Sequence, residues 1–507
     1  MLRRQLASAA VAAFALVMGA PAAAAVPAPL AAAACTGFMF GTVREASVAG
    51  DSPAPLEGVE VQMVAIDDDG PFGVVAAIPT DADGTYRLDL PCGTRLVVRA
   101  VDPLGLHQPS YGGSDGITDW RYADTFVIDQ SQGWGQDVVM TPPSLYVPVT
   151  PTRVLDTRDG LAPLRPGRST RFTIPGLPDD VTAVTLNLTT TQATAWTSFV
   201  TAMAPSYWAD SPYWLPSPKT SSINTSALHD VANLVTVPVG PSGMIEVYND
   251  QGTVHLVADL EGYYSTAEGA GLVPVSPVRA LDTRQSAPLG PRGTRTLDLA
   301  GPTSTLAVPD GVVAVAVTLT STRATAATSF ISAYPSDADD GPSSSVLNAY
   351  AGWDIPNLAV VPLGADGAIT LYNDQGTTDL VVDVVGWFVV GSGAFFQATT
   401  PERAVGSGLQ GPGETRVFTP ESAELTAVPD TAVALALNIT TSGPTVPSYL
   451  TTYQSGTQRP LASNANSQPG ADIAAATFTA VDPGFSVYNN RGTARVLVDV
   501  WGYFVAP

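Results

Sequence analysis

The amino-acid sequence predicts an all-β protein, in which a small antiparallel β-sandwich is followed by three tandem domains of the β-sandwich or jelly-roll type. The 507 residues include 46 glycines and 44 prolines, which interrupt long helices. Short runs of alternating apolar and polar residues are separated by turns rich in Gly, Pro, Asn and Asp. Beyond residue 144 the chain repeats itself at domain-sized intervals. At roughly 100–200 residues per domain, the chain has room for several separate cores.

Residues 1–25 are predicted to be a secretory signal peptide. Arg3 and Arg4 form a basic start, an apolar run over residues 6–18 follows, and the alanines at residues 22–25 form a small-residue cleavage site. Residues 26–34 form a linker to the first domain. No later stretch has the roughly 18 consecutive apolar residues of a membrane-spanning helix. We therefore expect an extracellular protein without a transmembrane segment, secreted or loosely associated with the cell wall.

The first β-sandwich is predicted over residues 35–143. Apolar and polar residues alternate in residues 59–63 and 86–90, which is typical of half-buried strands, and Asp83 and Gly84 supply a tight turn. This series of strands and turns resembles the prealbumin-like, carboxypeptidase-regulatory-like modules that are often appended to secreted bacterial proteins. The resemblance implies a small antiparallel sandwich.

Both cysteines of the chain, Cys35 and Cys92, lie in this first domain. In an exported protein an even number of cysteines predicts a disulfide. A lipid-modified Cys35 is an alternative, because the three alanines before it loosely resemble a lipoprotein processing site. Two free thiols are the third possibility.

Three repeats follow, over residues 144–266, 267–391 and 392–507. Their opening segments, at residues 150–158, 276–284 and 400–408, read TPTRVLDTR, SPVRALDTR and TPERAVGSG, so the opening motif of the third repeat is degenerate. Each repeat closes on an Asp-x-x-Gly-aromatic-aromatic segment, at residues 259–264, 383–388 and 499–504. Shortly before the first close, residues 248–252 (YNDQG) have the composition of a hairpin loop between two strands.

These copies resemble the tandem repeats with an Arg-x-Leu-Asp-Thr-Arg start and an Asp-Val-x-Gly-Tyr-Phe end that occur in exported proteins of high-GC Gram-positive bacteria. The resemblance covers all three repeats and implies an exported bacterial protein. It brings no particular activity with it. On this basis we expect a string of β domains.

Comparison of the three copies predicts a structural latch between the first and last strands of each repeat. The closing Asp lies in an apolar strand, and an ionised carboxylate there needs a charged or hydrogen-bonding partner. The third copy keeps the first Arg of the opening motif and the closing Asp, but loses the Asp-x-Arg couple between them. The predicted pairs are therefore Arg153 with Asp259, Arg279 with Asp383, and Arg403 with Asp499, while the Asp-x-Arg couple forms a local unit of its own. An exposed ligand site in the first two copies is the alternative.

An aromatic insertion occurs in the first repeat alone, at residues 206–218. Its four aromatic residues are Tyr207, Trp208, Tyr213 and Trp214. Rigid aromatic faces suit the apolar faces of sugar rings, so these side chains are candidate glycan-binding residues. The alternative is a loop that folds onto its own domain or the next one.

Charge and composition exclude several classes of function. The net charge of −23 opposes binding to nucleic acid. A G-x-S-x-G pattern at residues 112–116 lies in a predicted β domain rather than at a strand-to-helix turn, and the acidic loops lack the spacing of a calcium site. We therefore expect no enzyme activity, no metal and no cofactor. The sequence favours a protein for adhesion or cell-envelope interaction, with a cell-wall glycan or a surface protein as partner; glycan binding by the aromatic insertion is the second hypothesis.

Overall fold

The all-β prediction is confirmed by the computed structural model of the chain. It describes residues 36–46, 53–67, 71–93, 95–107, 109–112, 123–128, 133–205, 218–240, 243–338, 344–404, 406–423, 425 and 428–507. These residues form 34 strands and one short 3-10 helix, Thr283–Gln285. Within the described part of the chain no helix is long and apolar enough to cross a membrane.

The N-terminal sandwich is built from two sheets. Its strands are β1 (Thr36–Glu45), β2 (Glu60–Ile66), β3 (Pro71–Pro79), β4 (Thr85–Pro91), β5 (Arg95–Val101), β6 (Ser110–Tyr111), β7 (Phe126–Val127), β8 (Gly133–Gly135) and β9 (Val138–Met140). One sheet has the order β4-β1-β8, with β9 also on β1, and the other has the order β3-β2-β5-β6, with β7 also on β5. Met39, Val61, Leu96 and Val98 are among the buried side chains between them.

The sequence pattern predicts a purely antiparallel sandwich, and this detail is wrong. Strands β8 and β9 both run parallel to β1. Between β4 and β8 the chain passes through strands β5, β6 and β7 of the other sheet, so no hairpin forces β8 and β9 to run antiparallel to β1. Cys35 lies outside the described residues, so its bond to Cys92 stays a prediction; its neighbour Thr36 stands opposite Pro91, the neighbour of Cys92, in the β1–β4 ladder.

Repeats 1, 2 and 3, defined as residues 144–266, 267–391 and 392–507, have matching strands. Repeat 1 contains β10 (Leu145–Asp156), β11 (Arg168–Thr173), β12 (Val181–Thr191), β13 (Ser198–Met203), β14 (Ile223–Thr225), β15 (Val231–Pro238), β16 (Met244–Asn249) and β17 (His255–Ser265). Repeat 2 contains β18 (Ala270–Asp282), β19 (Gly293–Asp298), β20 (Val312–Thr322), β21 (Ser329–Pro335), β22 (Leu347–Ala349), β23 (Ile355–Pro362), β24 (Ala368–Asn373) and β25 (Asp379–Val390). Repeat 3 contains β26 (Phe395–Arg403), β27 (Gly408–Gln410), β28 (Thr415–Phe418), β29 (Ala432–Ser442), β30 (Ser448–Gln454), β31 (Ala465–Ser467), β32 (Ile473–Ala480), β33 (Phe485–Asn489) and β34 (Ala494–Val505).

Each repeat is an eight-stranded jelly roll. In repeat 1 the inner sheet has the order β15-β12-β17-β10 and the outer sheet the order β11-β16-β13-β14. Counted along the chain, these orders are 6-3-8-1 and 2-7-4-5, the double Greek key of a jelly roll. Repeats 2 and 3 have the same orders, and repeat 3 adds the short β27 on β34.

The segment of residues 248–252 is not a hairpin loop. Strand β16 before it belongs to the outer sheet and β17 after it to the inner sheet, so the segment carries the chain from one sheet to the other. Buried Asn249 donates hydrogen bonds from Nδ2 to the carbonyl oxygens of Leu164 and Gly252. The corresponding Asn373 and Asn489 bond their own crossings in the same way.

The three repeats close into a ring with threefold pseudosymmetry rather than forming a string. The start of each opening strand bridges to another repeat, through Ser144 to Phe396, Ala270 to Tyr146, and Ala394 to Leu272. Ser144, Ala270 and Ala394 occupy one equivalent position of the three repeats, and Tyr146, Leu272 and Phe396 occupy a second. Each bridge joins the first position of one repeat to the second position of another, so that the three bridges complete a cycle. The bridge between Tyr146 and Ala270 also joins the inner sheets of repeats 1 and 2 into one eight-stranded sheet.

A closed circuit of aromatic rings fills the centre of this arrangement. Neighbouring ring centroids are 4.1–6.2 Å apart, and the six rings belong to Tyr146, Tyr264, Phe396, Phe504, Phe478 and Phe388. All three repeats contribute to the circuit. Burial of one such side chain is worth about 1.5–3 kcal/mol. The central contact is therefore a hydrophobic core in its own right, shared by the three repeats.

Candidate functional site

The most distinctive cluster of charged residues is the Arg–Asp pair that recurs in each repeat. The structure brings together all three pairs suggested by the sequence. The Nε–Oδ1 distances are 2.6 Å for Arg153–Asp259, 2.5 Å for Arg279–Asp383 and 2.5 Å for Arg403–Asp499. A second hydrogen bond, from Nη2 to Oδ2, makes each pair bidentate. Each pair joins the first strand of its repeat to the last.

The closing aspartates are almost fully buried, with exposures of 0–1 %. Each Arg and Asp lie directly opposite each other in the ladder between the first and last strands. Burial raises the pKa of Asp383 and Asp499, and the paired guanidinium opposes that rise without cancelling it. These carboxylates thus depend on their arginines in order to stay ionised at neutral pH.

The Asp-x-Arg couple of the opening motif is connected to the latch rather than separate from it. Asp156 accepts hydrogen bonds from Arg158 Nε at 2.8 Å and from Arg153 Nη1 at 3.1 Å. The hydrogen bonds from Arg158 are the main reason why the pKa of Asp156 falls to about 2. Asp282 of repeat 2 has the same two arginine partners, from Arg279 and Arg284.

An exposed anion site at this couple is disfavoured by the charges around it. Both guanidinium groups already bind carboxylates, and Asp230 and Asp159 add negative charge near Arg158. In repeat 3 the couple is replaced by Gly406 and Gly408. The arrangement in repeats 1 and 2 balances charge within the protein, as a structural pair does.

The latches lie beside the contacts between repeats. Asn187 and Asn438 stand opposite the closing aspartates of repeats 1 and 3. Asn187 donates to Ser345 O at 2.5 Å, and Asn438 donates to Ser221 O at 2.6 Å. Arg279 of repeat 2 completes the cycle by donating to Leu461 O of repeat 3 at 2.8 Å.

Two asparagine pairs extend this polar layer. Asn357 of repeat 2 donates to Asn187 Oδ1, and Asn233 of repeat 1 donates to Asn438 Oδ1, both at 3.1 Å. These groups are buried, and a buried amide without a partner is costly. They therefore fix which repeat contacts which.

Sequence reasoning missed the buried acid Glu261. Its side chain lies on β17 with 2 % exposure, and Oε1 has no hydrogen-bond partner among the described residues. Burial, with a smaller contribution from Asp259, raises its pKa to about 8. The equivalent positions hold Val385 and Trp501, which belong to the central core. A comparison of the copies at this position would have revealed the acid among apolar residues.

Several sequence predictions fall outside the described residues. These are the aromatic insertion with Tyr207, Trp208, Tyr213 and Trp214, Cys35 of the predicted disulfide, and residues 113–116 of the G-x-S-x-G pattern. In the acidic loop at residues 81–84, the Asp81 carboxylate accepts hydrogen bonds from Thr85. Within the described ranges no three His, Cys, Asp or Glu side chains are placed to hold a metal ion.

A surface depression of about 750 Å³ lies in repeat 2, between residues 300–302, 312–313 and 363–367. Asp366 is the one ionisable residue in its lining. The carboxylate of Asp366 accepts hydrogen bonds from Ser336 Oγ and from the backbone of Ala368. Its lining therefore brings no acid–base pair together.

Comparisons with known proteins give no family and only distant structural similarity. No family model matches the chain, and no curated protein matches it. A DUF3823 family protein from Parabacteroides merdae is 12 % identical, over 44 % of this chain and 98 % of that chain, with a TM-score of 0.16. The triple jelly roll of an archaeal virus is 10 % identical, over 72 % and 90 %, with a TM-score of 0.16. The major pilin subunit of Bacillus cereus is 9 % identical, over 76 % and 91 %, with a TM-score of 0.17. Similarities this low place no constraint on what the chain binds or assembles with.

Proposed function

We propose that this is a non-enzymatic secreted or cell-surface protein that serves adhesion or interaction with the cell envelope. The proposal rests on the contacts that the charged residues of the repeat motif make. In every repeat the recurring Arg and Asp bind each other across strands instead of converging on a cavity. The secretory signal predicted at residues 1–25 and the resemblance of the repeats to those of exported bacterial proteins support the same reading.

The arrangement of the repeats suits a binding scaffold. Because the inner sheets pack around a shared core, the three jelly rolls hold one another in fixed positions. Loops positioned by such a rigid scaffold are common places for recognition.

A sedimentation assay with purified cell wall tests this proposal. The mature chain is incubated with walls of a high-GC Gram-positive bacterium, either intact or stripped of protein. We expect the chain to sediment with the walls; loss of retention on stripped walls would identify a surface protein as the partner. A chain that stays in the supernatant with walls and with whole cells would overturn the proposal.

Glycan binding by the aromatic insertion is the second candidate, because four aromatic residues occur there and in neither sibling repeat. The variant Trp208→Ala/Trp214→Ala should lose retention on cell-wall polysaccharide while the protein remains folded. Trp196→Ala is the matched control, since Trp196 is 73 % exposed in the same repeat but outside the insertion. Unchanged retention of a folded double variant would leave the insertion with a structural role.

A further inference from the structure

The loop of residues 102–107 in the N-terminal sandwich contacts repeat 3, and Thr141 O near the end of the sandwich accepts a further hydrogen bond from Gln397 Nε2 at 3.4 Å. Thr431 donates to Leu104 O at 2.9 Å, and Gln397 donates from Nε2 to Leu106 O. The Leu106 side chain packs against the core of repeat 3. Around Gly105 there is no free space, because a Cβ at that position would overlap Pro429 and Thr431. The two modules are therefore docked through the shape of this loop.

Asp102 determines that shape from within the sandwich. Its carboxylate accepts hydrogen bonds from the backbone N–H groups of Leu104 at 2.8 Å and His107 at 3.1 Å. The same carboxylate contacts the His107 ring, with 2.7 Å between Oδ2 and Nδ1. Both ends of the loop are thus tied to one side chain.

His107 connects the loop to the first strand of the sandwich. Its second ring nitrogen, Nε2, is 3.2 Å from Oε1 of Glu45 on β1. A neutral imidazole has a single N–H and can donate to only one of the two carboxylates, whereas an imidazolium donates to both. Two carboxylates, one on each ring nitrogen, are the environment of a charged ring.

No cation competes for this position among the described groups that act on it. Asp102 and Glu45 are the charged groups that act on the His107 ring. Repeat 3 contributes Tyr503, which is neutral because burial raises its pKa, and which is influenced by Asp102 and by Arg99 of β5. Despite burial, the two carboxylates together raise the pKa of His107.

We propose that His107, clamped between Asp102 and Glu45, is a protonation switch that docks the N-terminal sandwich onto repeat 3. The imidazolium holds the 102–107 loop in the shape that repeat 3 binds. When the ring loses its proton, one of the two carboxylates loses its donor, the loop loosens and the sandwich is released. The switch requires that the pKa of His107 be higher in the docked than in the undocked state; docking is then favoured at low pH, and this contribution is lost as the pH rises from the undocked to the docked value. Over that interval docking weakens by up to about tenfold per pH unit.

Docking and protonation of His107 affect each other to the same extent, so a variant that weakens docking tests the proposal without changing His107 itself. The chain has three histidines, so histidine-selective isotope labelling yields a simple NMR spectrum of the full protein, with His229 and His255 as reporters of correct folding. The variant Gln397→Ala/Thr431→Val removes three hydrogen bonds that repeat 3 donates to the sandwich, at Leu104, Leu106 and Thr141. We expect it to lower the pKa of His107. Thr457→Val, an exposed hydroxyl elsewhere in repeat 3, should leave that pKa unchanged.

Hydrogen exchange of the full chain measures the release itself. Protection of the amides of Leu104 and His107 should fall as the pH passes the pKa of His107, relative to amides of the central core at the same pH. In Glu45→Gln, the fall should occur at lower pH. A His107 pKa that is the same in wild type and Gln397→Ala/Thr431→Val would overturn the proposal, as would protection that is unchanged while the His107 signal titrates.

Discussion

Removal of the arginine from the latch of repeat 3 is the sharpest test of whether the Arg–Asp pair stabilises the fold. Asp499 is fully buried and its carboxylate receives both side-chain hydrogen bonds from Arg403. Repeat 3 lacks the Asp-x-Arg couple, and Arg403 is the one cation among the described groups that act on the Asp499 carboxylate. Arg403→Ala therefore leaves a buried carboxylate without a cationic partner.

The expected loss of stability is large for a single substitution. Breaking a buried ion pair by removal of one partner typically costs about 3–5 kcal/mol. Arg323→Ala is the matched control, because Arg323 is 65 % exposed and lies 3.5 Å from its partner Asp379. Asp379 is itself buried but keeps a hydrogen bond from Thr283 Oγ1, so for this single long contact from an exposed arginine we expect about 0.2–1 kcal/mol.

The loss should also depend on pH. Burial keeps the pKa of Asp499 raised even with Arg403 in place, and removal of the guanidinium raises this pKa further. An acid whose folded pKa exceeds its unfolded value of about 3.9 is favourable to folding at low pH, and this advantage is lost as the pH rises. Arg403→Ala should therefore be more destabilised at pH 7 than at pH 5.

Urea unfolding of the full chain, followed by circular dichroism at both pH values, measures these quantities. At an unchanged slope, the shift in midpoint gives the change in the free energy of unfolding. A loss below about 1 kcal/mol, equal to that of the exposed control, would refute the argument. A loss that is the same at pH 5 and pH 7 would show that the buried charge is not its cause.

Three further predictions follow from the central core and the sandwich. Because the pKa of Glu261 is raised to about 8, its carboxyl group makes the folded state less stable as the pH rises from about 4.5 to 8. Glu261→Gln should abolish this fall, and unfolding midpoints that still fall over that range as in wild type would contradict the prediction. Gly262→Ala should cost about 1–3 kcal/mol, since its Cβ would overlap the Tyr146 ring, and an unchanged thermal midpoint would count against the close packing. Cys35 and Cys92 should be joined, which would stabilise the folded state by about 4 kcal/mol for a loop of about 57 residues; intact mass after alkylation without reductant should show no added label, and two labels or a lipid would exclude the bond.

The sequence alone was sufficient for the class of fold and for the proximity of the latch residues. Period-2 alternation and closely spaced turns specify strands, because side chains of a strand point alternately to opposite faces. The latch pairs came from a comparison of copies: Arg403 and Asp499 persist in repeat 3 where the intervening couple is lost. Such internal comparison detects residues that act together even when about a hundred positions separate them.

Errors arose where the local pattern is compatible with two tertiary arrangements. Residues 248–252 have the composition of a hairpin loop, yet the strands on either side belong to different sheets. The alternation in the N-terminal sandwich indicates strands but not their direction, so the parallel pairing of β8 and β9 with β1 went unseen. Turn composition specifies that the chain reverses, not which strand it joins.

The ring of repeats was decided by tertiary structure, and the inner sheet shows why. In β12, Val184 and Leu186 point to one face of the strand, while Ala183, Thr185 and Asn187 alternate with them on the opposite face. Small and polar residues on that face are typical of a surface in contact with water, but here they are buried against the other repeats. Alternation in a sequence shows that a strand has two different faces. What covers the second face depends on contacts between residues more than a hundred positions apart, and these form only when all three repeats are folded and in place.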